Sequence, residues 1–267
     1  LIIENSTLTT MPTSKQVTIG CQDKAECKVE NSNIKCTANT VSSTVSYYFG
    51  VIHINSGKMQ IKGTEIISKY RAGISYRTAI LDLEDSIISS EKNEGLSNWF
   101  KGKSTVNISG GSITGTKAIF VKDIWGSCEN PELNLKVEKN AFLQSTNGNT
   151  IDIQTNIKVT ANLHDSVIDA KNKGNAIHFN NVNPASCLTL NASNAGQEVR
   201  LNTVNKFDGV VMKTDTNSVP LNLGGNIVIN SGESAQDINL EDSDSTIYLV
   251  NELSGDPKYT VKTMTNH

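Results

Sequence analysis

The sequence predicts an all-β chain wound as a right-handed, three-faced parallel β-helix, a solenoid with a cysteine-bearing N-terminal cap. Three observations carry that prediction. Three short apolar runs recur in fixed order every twenty-odd residues, each run alternates apolar and polar positions, and Gly, Asn, Asp and Ser punctuate the gaps. Alternation with period two turns one face of each run inward, and the punctuating residues are turn formers.

The first run is seen in Val51-Ile52-His53-Ile54, Gly73-Ile74-Ser75-Tyr76, Ala118-Ile119-Phe120-Val121, Thr150-Ile151-Asp152-Ile153, Ala176-Ile177-His178-Phe179 and Gly209-Val210-Val211-Met212. The second is an alternating triplet: Met59-Gln60-Ile61, Leu81-Asp82-Leu83, Val106-Asn107-Ile108, Leu133-Asn134-Leu135, Ile157-Lys158-Val159, Leu188-Thr189-Leu190 and Leu221-Asn222-Leu223. The third is an apolar pair behind a small or polar doublet, with steps of 21, 26, 29 and 25 from Ile66 through Ile87, Ile113, Phe142 and Val167. The Leu-x-x-Leu-x-Leu-x-x-Asn signature of leucine-rich repeats is missing, and no segment carries a 3.6 period long enough for a helical repeat. A coil of three strands remains. Its inward residues are buried only by stacking, so Ile61, Leu83, Ile108, Leu135, Val159 and Leu190 are expected to line a column with Ile66, Ile87, Ile113, Phe142 and Val167. Eight to ten coils spaced about 4.8 Å apart give a rod on the order of 40–50 Å long. Residues 1–46 are expected to form the N-terminal cap region, 47–244 the coils, and 245–267 a C-terminal coil or cap.

Composition agrees with a narrow column. Aromatic residues make up 5% of the 267, and Asn supplies 31, which disfavours helix interiors and suits turns because Asn tolerates left-handed backbone. With 24 basic against 27 acidic side chains there is no polycationic footprint for nucleic acid, and no apolar run approaches the ~20 residues of a membrane-spanning helix. A first residue Leu1, without a basic-then-apolar leader, reads as a mature or excised fragment.

The five cysteines, Cys21, Cys27, Cys36, Cys128 and Cys187, match no zinc-ligand spacing, and no metal or cofactor is expected. Read as disulfide candidates they imply an exported protein with one or two bridges and a leftover thiol. Cys21, Cys27 and Cys36 offer one local bridge. Cys128 and Cys187 fall in equivalent loops two coils apart, nearly 10 Å, against the ~7 Å between Cα atoms that a bridge allows, so the loops would have to close the gap.

No catalytic residue is expected. The Gly-His-Gly and Arg-x-Lys strings of β-helical polysaccharide hydrolases are absent, and so is the Gly-x-Ser-x-Gly elbow. Arg71 and Arg77 precede Asp82, Glu84 and Asp85, but one local edge does not place carboxylates on opposed sides of a substrate. His53 and His178 hold matching places in the first run, where alternation points them outward as face residues. Recognition chemistry is better represented. Trp99 beside Lys101 and Lys103, and Lys122 beside Trp125, put both tryptophans next to cations near the gaps between coils, as binding hot spots do. A further lysine line, Lys136, Lys139, Lys158, Lys171 and Lys173, suggests a basic stripe for a sulfated glycan or an acidic receptor face.

The segments Ser104-Thr105-Val106-Asn107-Ile108-Ser109-Gly110-Gly111-Ser112-Ile113-Thr114-Gly115, Gly63-Thr64-Glu65-Ile66-Ile67 and Asn226-Ile227-Val228-Ile229-Asn230-Ser231-Gly232 resemble the coil units of bacterial type V autotransporter passenger domains, especially those of Bartonella. The resemblance spans roughly residues 50–235 and implies a secreted or cell-surface protein without enzymatic activity. It implies a ligand of a host cell-surface receptor, the vascular endothelial growth factor receptor in the case of the angiogenic members. An adhesin for host matrix or for bacterial aggregation is the alternative, and a β-helical lyase or hydrolase the third. The cysteine-bearing N-terminal region departs from the cysteine-poor pattern of such passengers.

Overall fold

A computed structural model describes residues 1–11, 17–37, 50–100, 102–125, 127–192, 196–213, 220–240, 247–249, 259–260 and 264–266; the side chains of 123–125, 213, 240 and of everything from 247 onward lie outside that description. Among the described residues every regular element is a β-strand, and the strands form one 18-stranded and one 10-stranded sheet in which all pairings are parallel. The chain is an all-β solenoid of curled parallel sheets.

The pairings follow the three runs of the sequence. In the larger sheet one ladder stacks Ile19, Ile52, Ile74, Leu96, Ile119, Ile151, Ile177, Val210 and Ile238 in register. A second ladder in that sheet stacks Val29, Ile61, Leu83, Ile108, Val137, Leu163, Leu190 and Leu223. The smaller sheet is a third ladder, with Leu8, Ile34, Ile66, Ile88, Ile113, Leu143, Ile168, Leu201 and Ile229 above one another. Apart from the half-buried Leu8, every residue in these columns is buried, and together they belong to one continuous apolar core. Aliphatic side chains fill it because identical small shapes nest at the spacing of successive strands.

The ladders extend to both ends. Ile2–Glu4, Thr7–Thr10, Ile19–Cys21, Ala25–Glu30 and Asn33–Cys36 lie within the stretch expected to form the N-terminal cap, and they pair in register with the coils that follow. Ile247–Leu249, Tyr259–Thr260 and Met264–Asn266, in the stretch expected to form a C-terminal coil or cap, continue the same three ladders.

One expectation is corrected. Ile87, Phe142 and Val167 do not point inward: Ile87 is 48% exposed, the other two are half-buried, and Ile88, Leu143 and Ile168 fill the core instead. The cause is the corner between the second and third ladders. Asn5, Asn31, Gly63, Asp85, Gly110, Asn140 and Asp165 all have left-handed φ, between 37° and 73°. In each case the third residue onward, Leu8, Ile34, Ile66, Ile88, Ile113, Leu143 or Ile168, is the one in the column. Counting from the apolar pair instead of the corner slips the register by one, which exchanges the two faces of a strand. Leu135 and Val159 are inward as expected, although they stack on Val106 and Leu133.

A hydroxyl follows most of these corners. Ser6, Ser32, Thr64 and Ser86 each donate to the carbonyl two residues back, at 2.7 to 2.9 Å. The same oxygens of Ser32, Thr64 and Ser86 accept the N–H of the equivalent residue one coil earlier, at 3.1 to 3.3 Å. Gly111 ends the row: a Cβ there would lie 2.2 Å from the Ser86 carbonyl oxygen and 2.5 Å from its nitrogen, and its φ is +71°. Gly111→Ala should therefore cost about 3 kcal/mol, conformational strain plus a backbone clash. Gly196→Ala, at φ +82° with nothing within 4 Å, should cost only about 1 kcal/mol. Urea denaturation of the two variants beside the parent checks the difference.

Candidate functional site

The middle position of the first run forms an outer row along the first ladder: His53, Ser75, Ser97, Phe120, Asp152, His178, Val211 and Asn239 stack in register. Alternation predicts that such positions face solvent. Instead Ser75, Ser97, Phe120 and Asp152 are at most 4% exposed. Side chains from neighbouring positions fold over them. The Trp99 indole N–H donates to Ser97 Oγ at 2.7 Å, and its ring meets Phe120 edge-on with centroids 5.0 Å apart. Lys117 Nζ lies 3.6 Å from the Phe120 centroid and is bonded to Asp152. Buried polar groups persist mainly where they are paired, and His53, Ser75, Ser97, Asp152 and His178 of this row are, whereas the buried Asn239 Oδ1 has no partner among the described residues.

Asp152 is the centre of one such cluster. Its Oδ1 is 2.8 Å from His178 Nδ1, and its Oδ2 accepts from Gln154 at 2.8 Å and from Lys117. Burial pushes this carboxyl up, but the His178 hydrogen bond and the Lys117 ammonium outweigh it and hold the pKa down at about 2. Nearby Glu94 is raised by burial, against the opposing pull of its own backbone N–H, Lys117 and Ser97. At the other end of the row His53 Nδ1 is 2.8 Å from Ser75 Oγ, which also accepts the Gly50 N–H at 2.7 Å. Burial, aided by Arg77, lowers the His53 pKa to about 4, so the ring is neutral at pH 7.

The His53–Ser75 pair has the connectivity of a base and a nucleophile, and it lines a small cavity. The cavity bounded by His53, Ser75, Arg77, Ser97, Trp99 and Phe100 holds about 20 Å³, room for one water. Asp152, His178 and Lys117 supply a carboxylate–imidazole pair and a cation, and among the described residues no hydroxyl or thiol is bonded to the His178 ring. Among the described residues no group of three or more His, Cys, Asp or Glu is placed to hold a metal ion.

The residues nominated from sequence divide into three groups. Trp99 and Lys122 come together, the ammonium 5.9 Å from the ring, and Arg77 stacks on Phe100 at 5.3 Å beside them. Lys103 begins the next strand and lines a separate open groove on the second ladder with Lys24, Lys58, Glu26 and Glu132. Lys101 and the Trp125 side chain lie outside the described residues, although the Trp125 backbone pairs with Phe100. The lysine line is partly neutralised, since Lys136 pairs with Glu138 at 2.7 Å and Lys158 with Glu132 at 3.5 Å. Asp82 and Glu84 sit on the second ladder, engaged by Asn107 and Lys62, while Arg77 faces Phe100 on the first. All five cysteines are free thiols; Cys21, Cys27 and Cys36 are buried, whereas Cys128 bonds Glu129 O and Cys187 bonds Thr189 and Asn222.

Sequence reasoning treated His53 and His178 as solvated and missed Ser75 and Asp152. The partners are 22 and 26 residues away, one coil in each case. The aligned first runs already set His53 over Ser75 and Asp152 over His178, so the signal was the column and not any local motif. The fold and this row together define a parallel β-solenoid with a bonded polar row and an aromatic–cationic patch on one flank. No family model, characterised protein or solved structure matches the chain.

Two outcomes are expected. His53 is held below its ordinary 6.5, so the unfolded chain binds the proton more readily. The stabilisation is complete above pH 6.5 and lost as pH falls towards 4, by roughly 3 kcal/mol at most. Unfolding free energies across pH 4–7 should show this slope, flattened in His53→Gln. Asp152→Ala should destabilise by about 3 kcal/mol at pH 7 because it strands Lys117 and removes the His178 partner. Asp152→Asn should fall between that variant and the parent in the same denaturation assay.

Proposed function

We propose that this chain is a secreted autotransporter passenger: a right-handed, three-faced parallel β-helix whose N-terminal cap region carries three of the five cysteines, acting as a non-catalytic ligand of a host cell-surface receptor. The observation that carries the reading is the Trp99–Lys122 and Arg77–Phe100 patch, where two cations lie beside two rings. Such a patch suits a protein partner with acidic and aromatic groups, because rings supply contact area at little entropic cost and cations steer the approach. The resemblance of the coil units to Bartonella passengers makes the vascular endothelial growth factor receptor the first partner to test. A second surface favours a sulfated glycan as an additional ligand. The groove of about 570 Å³ beside Lys24, Lys58 and Lys103 is open and carries three ammonium groups against Glu26 and Glu132.

The test is binding of the purified chain to the receptor ectodomain, with receptor phosphorylation on endothelial cells read alongside. Saturable binding with phosphorylation is expected. Trp99→Ala and Lys122→Ala should each weaken binding about tenfold or more, with unchanged far-ultraviolet circular dichroism. Binding that survives both substitutions would move the contact away from this patch. No binding at micromolar concentration would remove the receptor reading and leave the adhesin as the function.

A further inference from the structure

Cys21 closes the strand Ile19–Cys21, and Cys27 is the third residue of Ala25–Glu30. Between them the chain turns from the first ladder to the second through Asp23 and Lys24, both left-handed at φ 56° and 63°. The turn is closed by Ala25 N–H donating to Gln22 O at 3.0 Å. It brings Cys21 Sγ within 3.3 Å of Ala25 O and 3.6 Å of Lys58 O. Both thiols turn into the core, 1% and 5% exposed. Lys58 is in register with Glu26, the residue before Cys27, so the Cys21 sulfur lies beside the Cys27 position. The remaining cysteines are placed otherwise. Cys36 is on the third ladder, in register with Thr10 and Ser68, and Cys128 and Cys187 bond the groups given above.

We propose that Cys21 and Cys27 form an intramolecular disulfide that staples the bend between the first two ladders in the N-terminal coil. The reaction is exchange with a small-molecule disulfide such as oxidised glutathione. The thiolate of one cysteine attacks a glutathione sulfur and releases one glutathione thiol; the second cysteine then attacks the mixed disulfide and releases the other. Two protein S–H bonds are lost and one S–S bond forms, while the oxidant takes up two electrons and two protons. Burial, reinforced by the neighbouring Cys27 thiol, pushes the Cys21 thiol up to about 12, which starves the folded chain of the attacking thiolate. The bond therefore forms while the coil is still open. A bridge there removes freedom from a turn that holds a non-glycine residue, Lys24, in left-handed backbone. The inference does not depend on the receptor reading.

The full chain is unfolded, reduced, and refolded in mixed reduced and oxidised glutathione, then alkylated and digested with trypsin. Cleavage after Lys24 separates the two cysteines, so the bridge joins peptides 16–24 and 25–28. That linked pair is expected as the dominant disulfide, with Cys36, Cys128 and Cys187 alkylated. Protein folded in the reduced state and then moved to the same buffer at pH 8 should form it at least tenfold more slowly. Alkylated Cys21 and Cys27 after refolding, or either residue joined to Cys36, Cys128 or Cys187, would overturn the proposal. Equal rates from the folded and unfolded states would overturn its formation before coil closure.

Discussion

The corner between the second and third ladders governs everything else in this molecule. A residue in left-handed backbone turns the chain, a hydroxyl one position later binds the carbonyl two residues back, and the same oxygen receives the N–H of the coil before. The corner thus does three tasks with five or six atoms: it bends the strand, satisfies polar groups that the bend would leave buried, and fixes the height of one coil on the next. Register then follows, because the side chain three residues past the turn is committed to the core. Asn and Asp recur at these corners because a short polar side chain tolerates left-handed backbone where a branched one does not. The abundance of Asn in the chain is a direct trace of that geometry.

A second constraint acts on the outer row of the first ladder. Parallel strands with one face in a core leave the other face to water, yet here that face is covered by its own neighbours, Trp99, Lys117 and Gln154 among them. Covering a polar row costs free energy unless its groups find partners, and two of these come from adjacent coils, Ser75 for His53 and His178 for Asp152, while Trp99 bonds Ser97 within one coil. The row therefore cross-links coils through side chains where the backbone ladder already links them. It gives the Trp99, Phe100, Arg77 and Lys122 patch a rigid base, which is what a recognition surface built on a thin rod requires.

Much of this was legible beforehand. The three runs, their order and the inward faces of the first two were readable because a period-two pattern repeated at a near-constant interval leaves few architectures. The third ladder was misread by one residue at Ile87, Phe142 and Val167 because the apolar pair is ambiguous, whereas the corner residue that resolves it is polar and looks like ordinary loop. The N-terminal strands were harder to see because Cys21 and Cys27 stand where the next coil has Ile54 and Met59. The Asp152 cluster was hidden for a different reason. Its members are strangers in sequence and neighbours only through the coil, so no local motif names them. Lys117 reaches Asp152 from a turn, across Phe120, and nothing in the periodicity signals that reach.

Among the described residues the strands of each coil pair with those of the coil before and the coil after. A molecule with such contacts behaves as a short one-dimensional lattice, whose opening begins at its termini and travels inward like a zip. Units near the middle are protected by company on both sides. Those at the extremities rely on a single neighbour. A rod of this kind therefore grades its own resistance to proteases and to heat along its length, and a surface carried in the interior of the stack survives long after the ends have frayed.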